Sequence, residues 1–395
     1  MEARVDELGF MYFAGDYRWS HGLLLALSAA PWGGAEIGEV QRVGLALKDR
    51  LGDDDAWFRE WAAMAARLED KGRTLARAGK RFSAASYLFR AANYAHVGER
   101  FLQPKSAAGL DAYGRAVAAF RDAAAMIDRP RIEAVEIPYE GASLPGLLVH
   151  AAPERVKGRA PAMVFFDGFD VTKELQYFKR VPDLAARGVA CLIVDGPGNG
   201  ESIRFRNLPL HHETERYARA AYEYLAARAE FDPRRIGVMA LSLGGYYAPR
   251  AAAMEPRFAC CVAWGAIWDY WQTWKDRLDR IARDEKLSLS VPWQHLLWVF
   301  GVATKEEALA RLESFRLDGV AQRIRCPFLL MHGEGDAQIP LALAQRCFEA
   351  VGSEKKELKI FTRAEGGYHH CQSDNVSIGT AYMWDWVAET LRAGQ

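Results

Sequence analysis

The chain has 395 residues, of which 50% are hydrophobic and 26% charged, with 51 Lys and Arg against 51 Asp and Glu. That length supplies roughly two to three domain-sized units with a sizeable core. The balanced charge, with no basic run longer than Arg234-Arg235 or Lys355-Lys356, excludes nucleic acid or an anionic bilayer as the main partner. The opening MEARVDELGF is acidic where a signal peptide is basic, and LLLALSAAPW is about half of what a membrane span needs, so a cytoplasmic setting is expected.

Residues 1–130 hold no convincing alternating run, whereas AWFREWAAMAARLEDKGRTLARAG and LDAYGRAVAAFRDAAAMI place apolar residues three and four apart. They predict a helical N-terminal domain closed by Pro130. The next stretch, RIEAVEIPYEGASLPGLLVHA, alternates apolar and polar residues around Glu140-Gly141 and predicts a strand hairpin. A second domain therefore starts near Arg131. Short apolar runs (AMVFFD, VACLIVD, RIGVMAL) then alternate with helical segments through LQYFKRVPDLAARG, through ETERYARAAYEYLAAR and from Gly244. Continuous apolar strands separated by helices predict a parallel sheet covered on both faces.

The pattern pauses near residue 265, turns aromatic and helical over 266–322, and resumes over 323–395 with CPFLLMHG, a helix, ELKIFT and a last helix. Residues 131–265 and 323–395 thus read as two parts of one core, and 266–322 as a cap inserted over it. Six of the twelve tryptophans (264, 268, 271, 274, 293 and 298) fall between Trp264 and Trp298. Some of these rings can stack a flat ligand, while the helical spacing of WDYWQTW suits cap core or a subunit interface. A homodimer stays open.

The six cysteines, Cys191, Cys260, Cys261, Cys326, Cys347 and Cys371, form no CxxC pair, and most sit in apolar runs, which predicts buried thiols in a reducing compartment. His212-Glu213 begins an HExxH pattern, but Arg216 stands where the second histidine is needed, so no metal site is read there. The glycines at 196, 198 and 200 do not fit GxGxxG, and VDGPGNGES is assigned to turn formation. No cofactor is expected.

The chemistry centres on RIGVMALSLGGYYAPRAA. Ser242 lies between an apolar strand and a helix, flanked by Ala240 and Gly244, small residues that a sharp strand-to-helix turn needs if it is to aim a serine out of the sheet. A serine hydroxyl needs a base, and the base an orienting acid. Asp336 follows a buried strand in CPFLLMHGEGDAQIP, and His369 and His370 follow the next strand in ELKIFTRAEGGYHHCQSDN. Serine, acid, histidine is the order such sheets use. The backbone N–H of Leu243, after the nucleophile, and that of Phe169, in the turn DGFD, are the expected oxyanion donors.

Over residues 131–395 these features resemble the α/β-hydrolase superfamily, a mostly parallel sheet with helices on both faces. DGFDVTKE, DGPGNGES, SLGGYYAPR, HGEGDAQIP and EGGYHHCQSDN are similar to the branch holding 2,6-dihydroxypseudooxynicotine hydrolase and the fungal polyketide-shortening hydrolases of melanin synthesis. Members of that branch carry a helical N-terminal domain, which extends the resemblance over the whole chain. In the branch a cysteine follows the catalytic histidine, as Cys371 follows His370, which implies His370 rather than His369 as the base. The resemblance also implies hydrolysis of a carbon–carbon bond beside a ketone in an aromatic or polyketide-like small molecule. A carboxylesterase, lactonase or thioesterase using the same residues is the alternative, and a non-catalytic binding protein on the same scaffold is disfavoured by the intact triad. An extra acid near the start of the cap assists in part of the branch. Asp269 stands in that neighbourhood, and with Trp268 it is the expected substrate contact.

Overall fold

The computed structural model describes residues 10–282 and 291–394. Most of MEARVDELGF, and residues 283–290 of the expected insertion, lie outside the described residues. Two compact units emerge: one contains residues up to Ile132, Glu174–Arg180 and a segment ending at His295, and the other contains the rest.

The first unit is built on helices α1 (Tyr17–Leu27), α2 (Ile37–Leu47), α3 (Asp54–Arg77), α4 (Arg81–Glu99) and α5 (Ala107–Met126). Asp53 caps α3 by accepting from Ala56 N, and the helix buries Trp57, Trp61, Met64, Ala65, Leu68 and Gly72, a stripe at helical spacing. The Trp57 ring packs on Trp19, Trp61 and Phe101 at 5.1, 5.7 and 4.9 Å. α4 differs in being buried on all sides from Leu88 to Glu99, so its polar side chains need partners. Arg90 pairs with Glu39, Asn93 donates to Gly34 O, and Glu99 holds the Lys105 ammonium at 2.6 Å.

The second unit is organised by an eight-stranded sheet in the order β1-β2-β4-β3-β5-β6-β7-β8. Its strands are β1 (Ile132–Tyr139), β2 (Ala142–Val149), β3 (Ala160–Phe166), β4 (Ala190–Val194), β5 (Phe231–Leu241), β6 (Cys261–Trp264), β7 (Phe328–Gly333) and β8 (Lys356–Phe361). Glu140 and Gly141 both take positive φ, 45° and 79°, in the two-residue turn that joins β1 to β2. β2 runs antiparallel to β4, and the neighbours from β4 through β8 pair in parallel. β3, β4 and β7 are buried at every position, as strands covered on two faces must be, whereas edge strand β8 is mostly half-buried.

The connections supply α6 (Lys173–Tyr177), α7 (Val181–Ala186), α8 (Gly200–Arg206), α9 (Thr214–Ala226) and α10 (Gly244–Met254). The single helix expected over LQYFKRVPDLAARG is broken between α6 and α7. Arg180 takes φ 63°, and Pro182, which lacks an N–H and restricts the residue before it, sits in the first turn of α7. Helices α11 (Tyr270–Ala282), α12 (Gln294–Phe300) and α13 (Lys305–Leu312) follow β6, and Thr304 and Glu307 form a reciprocal capping box on α13. α14 (Leu341–Ala350) and α15 (Val376–Thr390) complete the chain. Trp264, grouped in sequence with the insertion's tryptophans, belongs to β6.

Candidate active site

Ser242 occupies the turn between β5 and α10 with φ 60°, a left-handed conformation a serine adopts only when its surroundings impose it. Its N–H donates to Trp264 O at 2.8 Å, and its carbonyl accepts from Gly245 N. A Cβ on Gly244 would lie 2.3 Å from Ala240 Cβ, so with alanine at 240 the turn admits only glycine at 244. The small-residue pattern thus follows from steric contact across the elbow.

Asp336 follows β7 and is fully occupied: Oδ1 accepts from Gln338 N and Ile339 N at 2.8 and 2.9 Å, and Oδ2 lies 2.7 Å from His370 Nδ1. His370 Nε2 lies 2.8 Å from Ser242 Oγ. The two candidate histidines differ in their partners. His369 stacks on Tyr368 with centroids 3.9 Å apart, hydrogen-bonds the Gly335 backbone through its ring, and donates its own N–H to Asp374. Burial pushes the Asp336 carboxyl up, but the adjoining His370 outweighs this and holds it down at about 2. For His370 burial works against the charged form, yet the buried Asp336 anion and then Cys371 favour it, and the imidazole lies well above its ordinary value.

The turn that presents His370 is held by β6. Cys371 and Gln372 take φ 49° and 50°; Cys371 Sγ lies 3.4 Å from Trp264 O and 3.6 Å from His370 Nε2. Trp264 Nε1 donates to Gln372 Oε1 at 2.7 Å. One tryptophan therefore anchors Ser242 through its carbonyl and the histidine turn through its carbonyl and indole.

The loop after β3 passes beside the elbow, where a Cβ on Gly168 would lie 3.0 Å from Ser242 Cβ. The next residue, Phe169, packs its ring edge-on against Tyr270 and Trp274 of α11 at 6.2 and 5.8 Å. Arg277 of the same helix donates to Gln338 O at 3.0 Å, beside Asp336. α11 thus touches both the loop after β3 and the acid loop. Leu243 follows Ser242 and is buried.

Trp268 and Asp269 have structural partners. Trp268 is buried under the Arg346 guanidinium, 5.1 Å above its ring, and its carbonyl accepts from Leu317 N. Asp269 accepts from Gln272 N at 2.9 Å in the first turn of α11 and pairs with Arg316 at 3.0 Å. Both residues are thus engaged by protein partners, Trp268 by α14 and Asp269 within the insertion. The Trp271 ring meets Lys275 and Arg316 at 5.0 and 5.5 Å, and Trp298 lies under Arg204.

Sequence reasoning missed a buried cluster behind the Phe169 loop. Lys173 Nζ lies 2.8 Å from both Asp195 Oδ2 and Glu201 Oε1, and Asn199 donates to Gly168 O at 2.7 Å. The signal was available, since Asp195 and Asn199 stand inside VDGPGNGES. No pattern pointed to Gln372. Beside the incomplete HExxH pattern, His211 meets Tyr139 Oη at 2.9 Å, and Glu213 pairs with Arg216. Five cysteines are buried and Cys326 is half-buried; burial pushes the Cys326 and Cys347 thiols up to about 12. Among the described residues no helix is long and apolar enough to cross a membrane.

The profile of the prolyl oligopeptidase family matches residues 175–394. Hydrolase acrC of Aspergillus aculeatus is 30% identical, covering 96% of this chain and 98% of its own length. The 20-hydroxy-prefusarin hydrolase FUS2 of Gibberella moniliformis is 29% identical over 96% and 97% of the two chains. The crystal structure of the 2,6-dihydroxy-pseudo-oxynicotine hydrolase superposes with a TM-score of 0.75 at 26% identity, over 92% of this chain and 95% of that one. With a mostly parallel sheet, a nucleophile-type elbow after β5 and these matches, the chain is a hydrolase of the α/β-hydrolase fold and belongs to the prolyl oligopeptidase family.

Proposed function

We propose that the protein hydrolyses a carbon–carbon bond beside a ketone in an aromatic or polyketide-like small molecule, with Ser242 as nucleophile, His370 as base and Asp336 as its orienting acid. The observation that carries this reading is the unbroken relay of 2.8 Å from Ser242 Oγ to His370 Nε2 and 2.7 Å from His370 Nδ1 to Asp336. His370 takes the Ser242 proton while Oγ adds to the ketone carbon, and the resulting oxyanion is met by the Leu243 and Phe169 N–H groups. Collapse re-forms the carbonyl, breaks the carbon–carbon bond and leaves an acyl-Ser242. The electron pair passes to an enolate or phenol-type fragment, which takes the proton from His370. Water, deprotonated by His370, then releases a carboxylic acid and restores the serine.

A carbon leaving group needs that proton more than an alkoxide does. His370, protonated in the first step with Nε2 held 2.8 Å from Ser242 Oγ, is placed to deliver it. The names of two relatives, a hydrolase of 20-hydroxy-prefusarin and one of 2,6-dihydroxy-pseudo-oxynicotine, support a small oxygenated substrate.

The test sets a panel of β-diketones and acyl-phenols against a panel of aryl esters and lactones, with kcat/KM for each and Ser242→Ala as the control. The ketones are expected to be cleaved to acid plus ketone or phenol. Ser242→Ala is expected to lose activity by about 10⁴-fold or more with its fold retained. Efficient ester cleavage with no ketone cleaved would move the enzyme to the esterase reading, and an active Ser242→Ala would remove the triad.

A further inference from the structure

We infer that Asn199 is a positioning residue of the oxyanion hole, fixing the direction of the Phe169 N–H through the carbonyl of Gly168. The inference rests on the triad reading above and adds to it the residue that aims one of its donors. Asn199 is 5% exposed, and its Nδ2 donates to Gly168 O at 2.7 Å and, more weakly, to Val171 O at 3.4 Å. Gly168 C=O and Phe169 N–H belong to one peptide unit. That unit is planar and trans, the cis bonds among the described residues being Gln103-Pro104 and Arg129-Pro130, so its N–H points opposite to its C=O. Pinning the oxygen on one side therefore aims the hydrogen on the other. Donation to the carbonyl also polarises the amide and makes its N–H a stronger donor.

The rest of VDGPGNGES holds Asn199 in place. Asp195 Oδ1 accepts from Lys173 N at 2.9 Å, and its Oδ2 accepts from Lys173 Nζ at 2.8 Å and Glu201 N at 2.9 Å. Ser202 Oγ donates to Asp195 O at 2.6 Å. Gly200 takes φ 46°, and a Cβ there would fall 1.9 Å from Asp195 Oδ2, so only glycine lets the turn close over the carboxylate. The loop carrying Phe169 is thus tied to the strand-β4 turn at residue 168 by Asn199 and at residue 173 by Asp195. A segment that reads as a turn is the scaffold of the oxyanion loop.

The test uses the full chain and two variants, Asn199→Ala and the equal-sized Asn199→Asp, which cannot donate and turns an acceptor toward Gly168 O. Each is assayed with the substrate turned over best in the panel above, and with a trifluoromethyl ketone that forms a tetrahedral adduct on the serine. Removing an oxyanion donor outright costs about 10²–10³ in kcat. A misaimed donor is expected to cost Asn199→Ala about 10- to 100-fold, and Asn199→Asp more. KM should stay within about threefold, and trifluoromethyl ketone affinity should fall in step with kcat, because only tetrahedral species use the donor. Unchanged kcat and unchanged trifluoromethyl ketone affinity in folded Asn199→Ala would overturn the inference. So would a loss in KM alone, or activity loss that merely follows a fall in melting temperature in both variants. Ser242→Ala separates the two layers: if it is active the triad reading has failed, and if it is dead while the Asn199 variants behave as wild type only this inference has.

Discussion

On the Phe169 side of Ser242 the loop is tied down by charge, through Lys173, Asp195 and Glu201, and by the Asn199 amide. On the His370 side Asp374 accepts from the Gly367 and His369 N–H groups ahead of the ring, while the contacts that bind the turn to β6 are neutral, a thiol and a carboxamide meeting one tryptophan. On the proposed reading, the difference follows from what each side must carry. An oxyanion donor is a backbone N–H with no side chain to orient it, so its peptide has to be gripped from behind, and ionic groups grip hardest where water is excluded. The histidine side already contains the Asp336–His370 pair. Asp374 spends its two oxygens on backbone N–H groups of the loop, and the neutral partners from β6 fix the turn at Cys371 and Gln372 without a charge competing for the His370 ring.

Asp336→Asn should give the largest effect, because it removes the carboxylate that contacts the His370 ring. The amide cannot favour the imidazolium, and kcat is expected to fall by about 10⁴. The pH profile checks the cause. The free enzyme needs neutral His370, so activity rises as that group loses its proton. With the folded-state value raised by Asp336, the acidic limb of kcat/KM should lie above the ordinary histidine value of about 6.5. In Asp336→Asn the residual activity should show this limb moved to lower pH. A limb that stays in place would mean that Asp336 is not what tunes the base.

Lys173→Met strikes the charged side. Burial pushes Asp195 up and Lys173 brings it down, so removing the ammonium leaves a fully buried carboxylate with its main counter-charge gone. The expected cost is about 3–5 kcal/mol, read as a lowered melting temperature near neutral pH. The sign with pH is diagnostic. In the wild type the depressed Asp195 contributes stability above its unfolded value, which is lost only as pH falls through the lower folded value. In Lys173→Met the order inverts: the buried carboxyl prefers its proton, and the penalty should ease as pH falls from 7 toward 5. A variant equally unstable at both pH values would show that packing of the lysine chain, not its charge, holds the loop.

Much of this architecture was legible in the residues. The strands, the hairpin at Glu140-Gly141, the elbow at Ser242 and the order of Asp336 and the histidines all rest on local patterns of period, small residues and turns. What was illegible is tertiary. Choosing His370 over His369 took the resemblance at Cys371, because both histidines share one loop and only the left-handed turn at Cys371 and Gln372 decides which ring faces the serine. The helix over LQYFKRVPDLAARG failed because the restraint from Pro182 was outweighed in the reading by apolar spacing. The partners of Trp268 and Asp269 were equally illegible, because Arg346 and Arg316 are remote from them in sequence.

The smallest effect is expected at the neutral contacts to β6, from Gln372→Met, which keeps the volume and removes the acceptor of the Trp264 indole. A buried N–H left unpaired costs about 1–3 kcal/mol, so the melting temperature should fall modestly. The catalytic loss should be smaller than for Asn199→Ala, about three- to tenfold in kcat, since Cys371 Sγ still meets Trp264 O and Asp336 still holds the ring. The acidic limb of the pH profile should not move, because no charge near His370 has changed. That combination, a lower kcat on an unshifted limb, belongs to a residue that sets where the base stands rather than how basic it is. A shifted limb in Gln372→Met would place the carboxamide among the groups that tune His370 and would erase the contrast between the two sides.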